Sequence, residues 1–330
     1  MKTREKRKAR DAEPFPFFDT IERTELQGYQ DVVFIDPNLR DTLFMMHKAS
    51  NRDAPCLARY TSMTRRRHLG TNLTRDRTER YIKHQHNVDD IRLRLDNLSH
   101  TNSHSISSAD FDNYCSVRGE AKQILGPMYE QPIFRKMRWR TSIGKQRDMT
   151  FLNNLIRRKF GPQPLLVLGD KSTTRNRRFH APTQGVGLRY QLHRLGFRVL
   201  LLDEYRTSSS CPDCFANINN HCIKRQSPRP WRRKFGEVWV HGLVECDSRP
   251  CMAECGDRTK KWNRDLLAVS NFRRIWNAYI HGRERPDDLR PRRHANGENA
   301  GDGGGNVQND NAQNGNTGAM EVVVQNLISM

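Results

Sequence analysis

An α/β fold is predicted by three features of the sequence. The run Pro164-Leu165-Leu166-Val167-Leu168 is short, continuously apolar and closed by Gly169-Asp170, as expected for a strand buried on both faces. Val186, Leu188, Leu192 and Leu195 follow at helical spacing and stop at Gly196, and Arg198 to Leu202 make a second buried strand. Upstream, Val32-Val33-Phe34-Ile35-Asp36, a Pro37-Asn38 turn and Thr42-Leu43-Phe44-Met45-Met46 read as a β-hairpin with an acid at the end of its first strand. A right-handed crossover would make the two later strands parallel in one sheet, with Asp170 and Glu204 on the same edge.

The remaining elements follow in order. Residues 1–30 open with MKTREKRKAR, six Lys or Arg with almost nothing to bury, and are expected to be a basic mobile arm. A mostly helical insertion at about 62–160 shows helical spacing at Tyr81, Ile91, Leu93 and Leu98, and again at Ile124, Met128, Phe134 and Met137. Residues 207–256 are rich in Cys, Pro, Trp and Arg and form a separate module. A last helix from about Arg264 to Ile280 turns Leu267, Phe272, Ile275, Trp276 and Tyr279 toward the core. The core is thus expected at 31–206 and 257–285, and the Asn/Gly-rich tail at 286–330 is expected to be disordered.

Composition narrows the function classes. The chain of 330 residues carries 57 Lys+Arg against 37 Asp+Glu, a net charge of +20. Such an excess repels itself in a compact fold and is commonly offset by phosphates, which release counterions as they pair with Lys and Arg. A polyanion is therefore the expected partner, and a small-molecule substrate is not. No apolar run approaches the roughly 20 residues of a membrane span, and no secretory signal is visible, so a soluble intracellular protein without a membrane partner is expected.

Six of the eight cysteines fall between residues 211 and 255. In an intracellular chain that clustering favours metal over disulfides. Cys211-x2-Cys214 and Cys246-x4-Cys251 would hold a structural Zn²⁺ tetrahedrally on four thiolates, with no open coordination position. Cys255 could replace either member of the second pair, and His221 and Cys222 are further candidates or simply unligated loop residues. Cys56 and Cys115 read as unligated thiols.

Three acids stand at the ends of buried elements: Asp36 after the first strand, Glu204 after the later one, and Asp265 in the first turn of the last helix. Phosphodiester hydrolysis by a pair of Mg²⁺ or Mn²⁺ ions requires hard oxygen ligands of this kind, held rigidly but separated in sequence, as in RNase H-like nucleases. Any one of them taken singly is more readily a turn former or a helix cap than a catalytic group. The argument rests on the ordered set of three, with the cysteine pairs between the second and third.

At these residues the chain resembles the transposon-encoded TnpB nucleases and, more closely, their eukaryotic relatives called Fanzor, which share the RuvC domain of type V CRISPR effectors. The matching text includes FIDPNLRDTLFMM, ARYTSMTRRRHLG, FRKMRWRTSIGKQR, LLVLGD, LLLDEYRTSSSCPDC, PRPWRRKFGEVWVHGLVEC and WNRDLLAVSNFRRIWNAYIHGRERP, over roughly residues 30 to 288. The resemblance implies an RNase H-like RuvC domain with an inserted zinc ribbon, and an RNA-guided, metal-dependent DNA endonuclease located in the nucleus. By motif, Asp36 corresponds to the first catalytic acid and Asp265 to the third. In Fanzor-type members the second glutamate is displaced to the DEYRTS segment, which supplies Glu204, while Asp170 occupies the older position as a substitute. Two departures stand out. Asn38 replaces the glycine of an Asp-Pro-Gly turn, where Asn tolerates positive φ better than most residues. The guide-recognition region that members carry before the first acid is missing, so the chain reads as N-terminally truncated.

Arg225, Arg229, Arg232, Arg233 and Lys234 surround Trp231 in the long loop between the cysteine pairs. Cations gripping phosphates around an indole that stacks on a base suit a single-stranded path, although a solvated basic loop with a packed Trp reads the same way. The alternative to the endonuclease is a catalytically inactive, zinc-stabilised nucleic-acid-binding remnant. A Holliday-junction resolvase or transposase with this core would not be expected to carry the ribbon.

Overall fold

A computed structural model describes residues 15–170, 185–218, 223–227, 229–240 and 242–290. The chain divides into two compact units, one formed by residues up to Ser62 together with the segment from Met149, the other by Met63–Asp148.

The first unit is built on a mixed five-stranded sheet in the order β3-β2-β1-β4-β5. Its strands are β1 (Val32–Asp36), β2 (Leu43–His47), β3 (Leu57–Tyr60), β4 (Leu165–Gly169) and β5 (Val199–Leu202). β1 pairs antiparallel with β2, and β2 with β3, while β4 runs parallel to both β1 and β5. This is an RNase H-like arrangement, an α/β fold with a helical insertion and a separate four-cysteine module.

Alternation along the strands divides the core in two. Val33, Ile35, Leu43, Met45, Leu166, Leu168, Val199 and Leu201 face Leu152, Ile156 and Phe160 from the end of the helix Pro132–Phe160, and Leu188 and Leu192 from the helix Gly185–Arg194. Val32, Phe34, Phe44, Met46, Leu165, Val167, Leu200 and Leu202 face Val269, Phe272, Ile275 and Trp276 of the helix Arg264–Ile280. Burial on both faces explains why β1, β4 and β5 read as continuous apolar runs rather than alternating ones.

Several expectations need correction. Of the segment expected to be a mobile arm, residues 15–30 fold onto the sheet: Phe15, Phe18 and Leu26 are buried, and Phe17 bridges Leu201 in parallel. The basic run at the start drew the boundary too far along, because the Phe15-Pro16-Phe17-Phe18 cluster is apolar enough to dock. Residues 1–14 lie outside the described residues. The expected disordered tail likewise starts too early, since Asp287–Leu289 is a 3-10 helix with Leu289 fully buried; residues 291–330 lie outside the described residues. Val186 and Leu93, placed on apolar stripes from the sequence, are exposed at their helix surfaces. β3 escaped the sequence reading because only alternate residues, Ala58 and Tyr60, are buried in so short an edge strand.

The second unit is helical. Its core joins Ile82 to Ile91, Leu95 and Leu98, and these to Ala121, Leu125, Met128, Tyr129, Phe134 and Met137. Positions 91, 95 and 98 form an i, i+4, i+7 stripe, which is why Leu95 and not Leu93 faces inward. Asp148, 2% exposed, accepts from His68 Nδ1 at 2.8 Å within this unit.

Candidate functional site

The carboxyl ends of the three parallel strands β1, β4 and β5 meet at one edge of the sheet, where ligands bind in open α/β sheets. Asp36 is the last residue of β1 and only 7% exposed. The β1–β4 register pairs Ile35 with Leu168, so the next step along each strand sets Asp36 beside Gly169.

Asp265 reaches the same edge from the helix Arg264–Ile280. The Asn263 side chain caps that helix, accepting from Asp265 N–H at 2.9 Å and Leu266 N–H at 3.1 Å. An acid in the first turn faces the positive end of the helix dipole. Burial nonetheless pushes the Asp265 pKa above its ordinary value, and the nearby Asp41 carboxylate adds to the rise.

One side chain ties these two acids together. The Asn38 amide donates from Nδ2 to Asp36 Oδ2 and to Asp265 Oδ1, both at 2.7 Å. A single neutral donor thus sits between two carboxylates that would otherwise repel. The positive φ anticipated for Asn38 is not adopted: among described non-glycine residues only Arg206, Phe215 and Asp257 have it. What matters at position 38 is the amide. Motif comparison passed over this role because it weighed the residue by its backbone alone.

Glu204 follows β5 and folds back over the end of β4. Its carboxylate lies where a side chain at Gly169 would be, so that a Cβ there would collide with Oε1 and come within 2.5 Å of Cδ. Glycine at the end of LLVLG is therefore what leaves room for Glu204. The Glu204 backbone carbonyl accepts from Thr207 N–H at 3.1 Å and Thr207 Oγ1 at 2.9 Å, fixing the turn. Farther on, Asn271, fully buried in the last helix, donates to Thr207 O and Ser210 O, both at 2.8 Å, and so ties the same loop to that helix.

Asp170 sits beside Glu204 in a different setting. Burial raises its pKa, and the Glu204 N–H and the Arg189 guanidinium only partly offset this. Arg189 is fully buried and donates from Nη2 to Gly169 O at 3.4 Å. Asp170 is thus engaged with the backbone of the turn, and Glu204 is the acid packed across the end of β4.

Asp41 is a carboxylate that motif reasoning missed. It is 2% exposed, and Arg59 donates to its Oδ2 from Nε at 3.1 Å and Nη2 at 2.6 Å. The available signal was an acid five positions after Asp36 in the same hairpin turn. Hard carboxylate oxygens of this kind suit Mg²⁺ or Mn²⁺. Among the described residues, however, the cysteines are the one group of three or more His, Cys, Asp or Glu residues whose ligand atoms all lie within 4.8 Å of each other.

That cysteine group is Cys211, Cys214, Cys246 and Cys251. Cys211 Sγ lies 3.7 Å from Cys251 Sγ, and Cys214 Sγ 3.5 Å from Cys246 Sγ. The four are free thiols enclosed by Ile218, Val244 and Leu267. Ser248 Oγ donates to Cys214 Sγ at 2.9 Å, and burial is outweighed there so that the Cys214 pKa falls to about 7. Four clustered thiols suit a structural Zn²⁺. Cys255, the alternative ligand, stands outside the group, as do Cys56 and Cys115; His221 and Cys222 lie outside the described residues.

The cysteine module is coupled to the acidic edge through one hairpin. Strand β8 (Leu243–Cys246) pairs antiparallel with β9 (Lys260–Asn263), matching Cys246 with Lys260 and Leu243 with Asn263, the cap of the Asp265 helix. A second hairpin, β6 (Ile223–Gln226) with β7 (Glu237–Val240), carries the basic loop. There Arg225, Arg229, Arg233 and Lys234 are exposed and Trp231 is 68% exposed. The indole is therefore not packed on the module; the side chain of Arg232 lies outside the described residues.

No helix among the described residues is long and apolar enough to cross a membrane. No protein-family model matches the chain, and no curated protein matches it.

Proposed function

We propose that the protein is a divalent-cation-dependent, RNA-guided DNA endonuclease of the Fanzor/TnpB type. The observation that carries this reading is the pair of carboxylates, Asp36 and Asp265, drawn from opposite ends of the fold and held on one amide at the carboxyl end of the central strand. Glu204, packed against Gly169 at the end of the neighbouring strand, would complete the set. Asp36, Glu204 and Asp265 would hold Mg²⁺ or Mn²⁺, with Asp170 as a substitute for Glu204. When bound, such ions activate water and stabilise the leaving oxygen of a phosphodiester. The protein's own part is to fix the acids. β1 and the capped helix set Asp36 and Asp265, the Thr207 turn sets Glu204, and the Asn38 amide keeps the first two from repelling before a cation arrives. The four cysteines would hold Zn²⁺ and steady the hairpin behind Asp265, while Trp231 and its cations offer a single-stranded path. Nuclear residence belongs to the same reading.

A second reading, a nucleic-acid-binding remnant without catalysis, is favoured by the looser spacing of the carboxylates relative to the cysteines. Cleavage of labelled single- and double-stranded DNA by the purified chain in Mg²⁺ or Mn²⁺, beside Asp265→Asn, separates the two. Cleavage lost in the variant supports the endonuclease. DNA binding without cleavage supports the remnant.

A further inference from the structure

Asp41 is more enclosed than any of the acids that the motif pattern selects. Arg59 takes up only one of its oxygens, Oδ2. The other, Oδ1, is buried without a hydrogen-bond partner. Asp41 also lies beside Asp265, whose carboxylate feels both its charge and its contact. The backbone holds this arrangement, because Asn38 N–H donates to the Asp41 carbonyl at 3.2 Å and closes the turn between the two side chains. The Asn38 amide spans Asp36 and Asp265 but does not reach Asp41.

Two neighbouring ionised carboxylates offer only acceptors, so a pair with one member buried calls for something positive between them. An acid that served merely to anchor Arg59 would have no reason to leave its second oxygen buried and unpartnered.

We propose that Asp41 is a further ligand for the divalent cation, offering Oδ1 beside Asp265 while Arg59 holds Oδ2 and fixes the orientation of the carboxylate. The inference rests on the cation site of the nuclease reading and adds a ligand to it. It also gives the hairpin turn a purpose, since residues 36, 38 and 41 then supply a ligand, a spacer and a second ligand in one short stretch.

The test is Mn²⁺ titration of the purified full chain with Zn²⁺ retained, following free Mn²⁺ by electron paramagnetic resonance. Asp41→Asn should weaken binding at least about tenfold. If Asp41→Asn binds like wild type while Asp36→Asn does not bind, the assignment of Asp41 fails and the nuclease reading stands. A wild-type chain that binds no Mn²⁺ overturns both. Should Asp41→Asn fail to fold, wild-type crystals soaked in MnCl₂ decide: an anomalous peak in contact with Asp41 Oδ1 supports the ligand, and a peak on the other acids alone overturns it.

Discussion

Replacing Asn38 with alanine removes the donor that Asp36 and Asp265 share at 2.7 Å each. Hydrogen bonds to charged groups contribute about 1.5–3 kcal/mol apiece, and partial burial argues for the lower end, so the two together are worth about 3 kcal/mol. The loss also exposes each carboxylate to the other. For a domain of roughly 150–250 residues, about 2–4 °C per kcal/mol converts this to a fall in Tm of roughly 6–12 °C. Those figures apply to protein in chelator. A cation placed between the acids does the same electrostatic work as the amide; in wild type it must displace the amide and gains little, whereas in Asn38→Ala it enters freely and at a hundredfold excess over Kd returns about 2.7 kcal/mol. Thermal unfolding of wild type and Asn38→Ala, each in EDTA and in saturating Mg²⁺, should therefore show a large deficit in EDTA that shrinks by more than half with Mg²⁺. An equal deficit in both buffers would mean that the amide does not occupy a cation's place. An unchanged Tm in EDTA would mean that the pair of hydrogen bonds carries no stability.

Further outcomes are expected elsewhere. Gly169→Ala should displace Glu204, since the new Cβ would collide with Oε1, and so weaken Mn²⁺ affinity about tenfold, with titration as the measurement. Removing metal with a zinc chelator, or Cys214→Ser, should release one equivalent of zinc and expose the hairpin before Asp265 to hydrogen exchange; protection unchanged at residues 260–266 would contradict the coupling. Asp288 is bound by Arg274 through Nη1 at 2.8 Å and Nη2 at 2.9 Å; burial opposes the charge, but Arg274 and Ser210 outweigh it and lower the pKa. Stability from this pair is therefore complete above about pH 4 and is lost as pH falls through the lowered folded value, so the gap between wild type and Asp288→Asn should close on acidification. Trp231→Ala should weaken binding to single-stranded DNA more than to duplex, and equal loss on both would argue against stacking.

The sheet was legible because β1, β4 and β5 are buried on both faces and leave unbroken apolar runs. β3 and the docked stretch around Phe18 were not, because their burial depends on partners distant in sequence: Phe18 packs against Trp276 and Tyr279. The same division holds at the acidic edge. The positions of Asp36 and Asp265 at element ends could be read from the sequence, whereas the Asn38 bridge and the burial of Asp41 depend on side-chain direction, which no spacing rule encodes. The four cysteines were readable from their pairs, and their separation from Cys255 required the fold.

The amide bridge from Asn38 to Asp265 joins positions 227 apart. Contacts of such sequence separation carry a heavy loop-closure cost and tend to form late. On a ribosome, the strand bearing Asp36 emerges long before the helix that bears Asp265 and must wait for it. The pair therefore reports that the intervening sheet and cysteine module have been made. A chain whose synthesis stopped short of residue 265 would carry Asp36 and Asn38 without the acid that they meet.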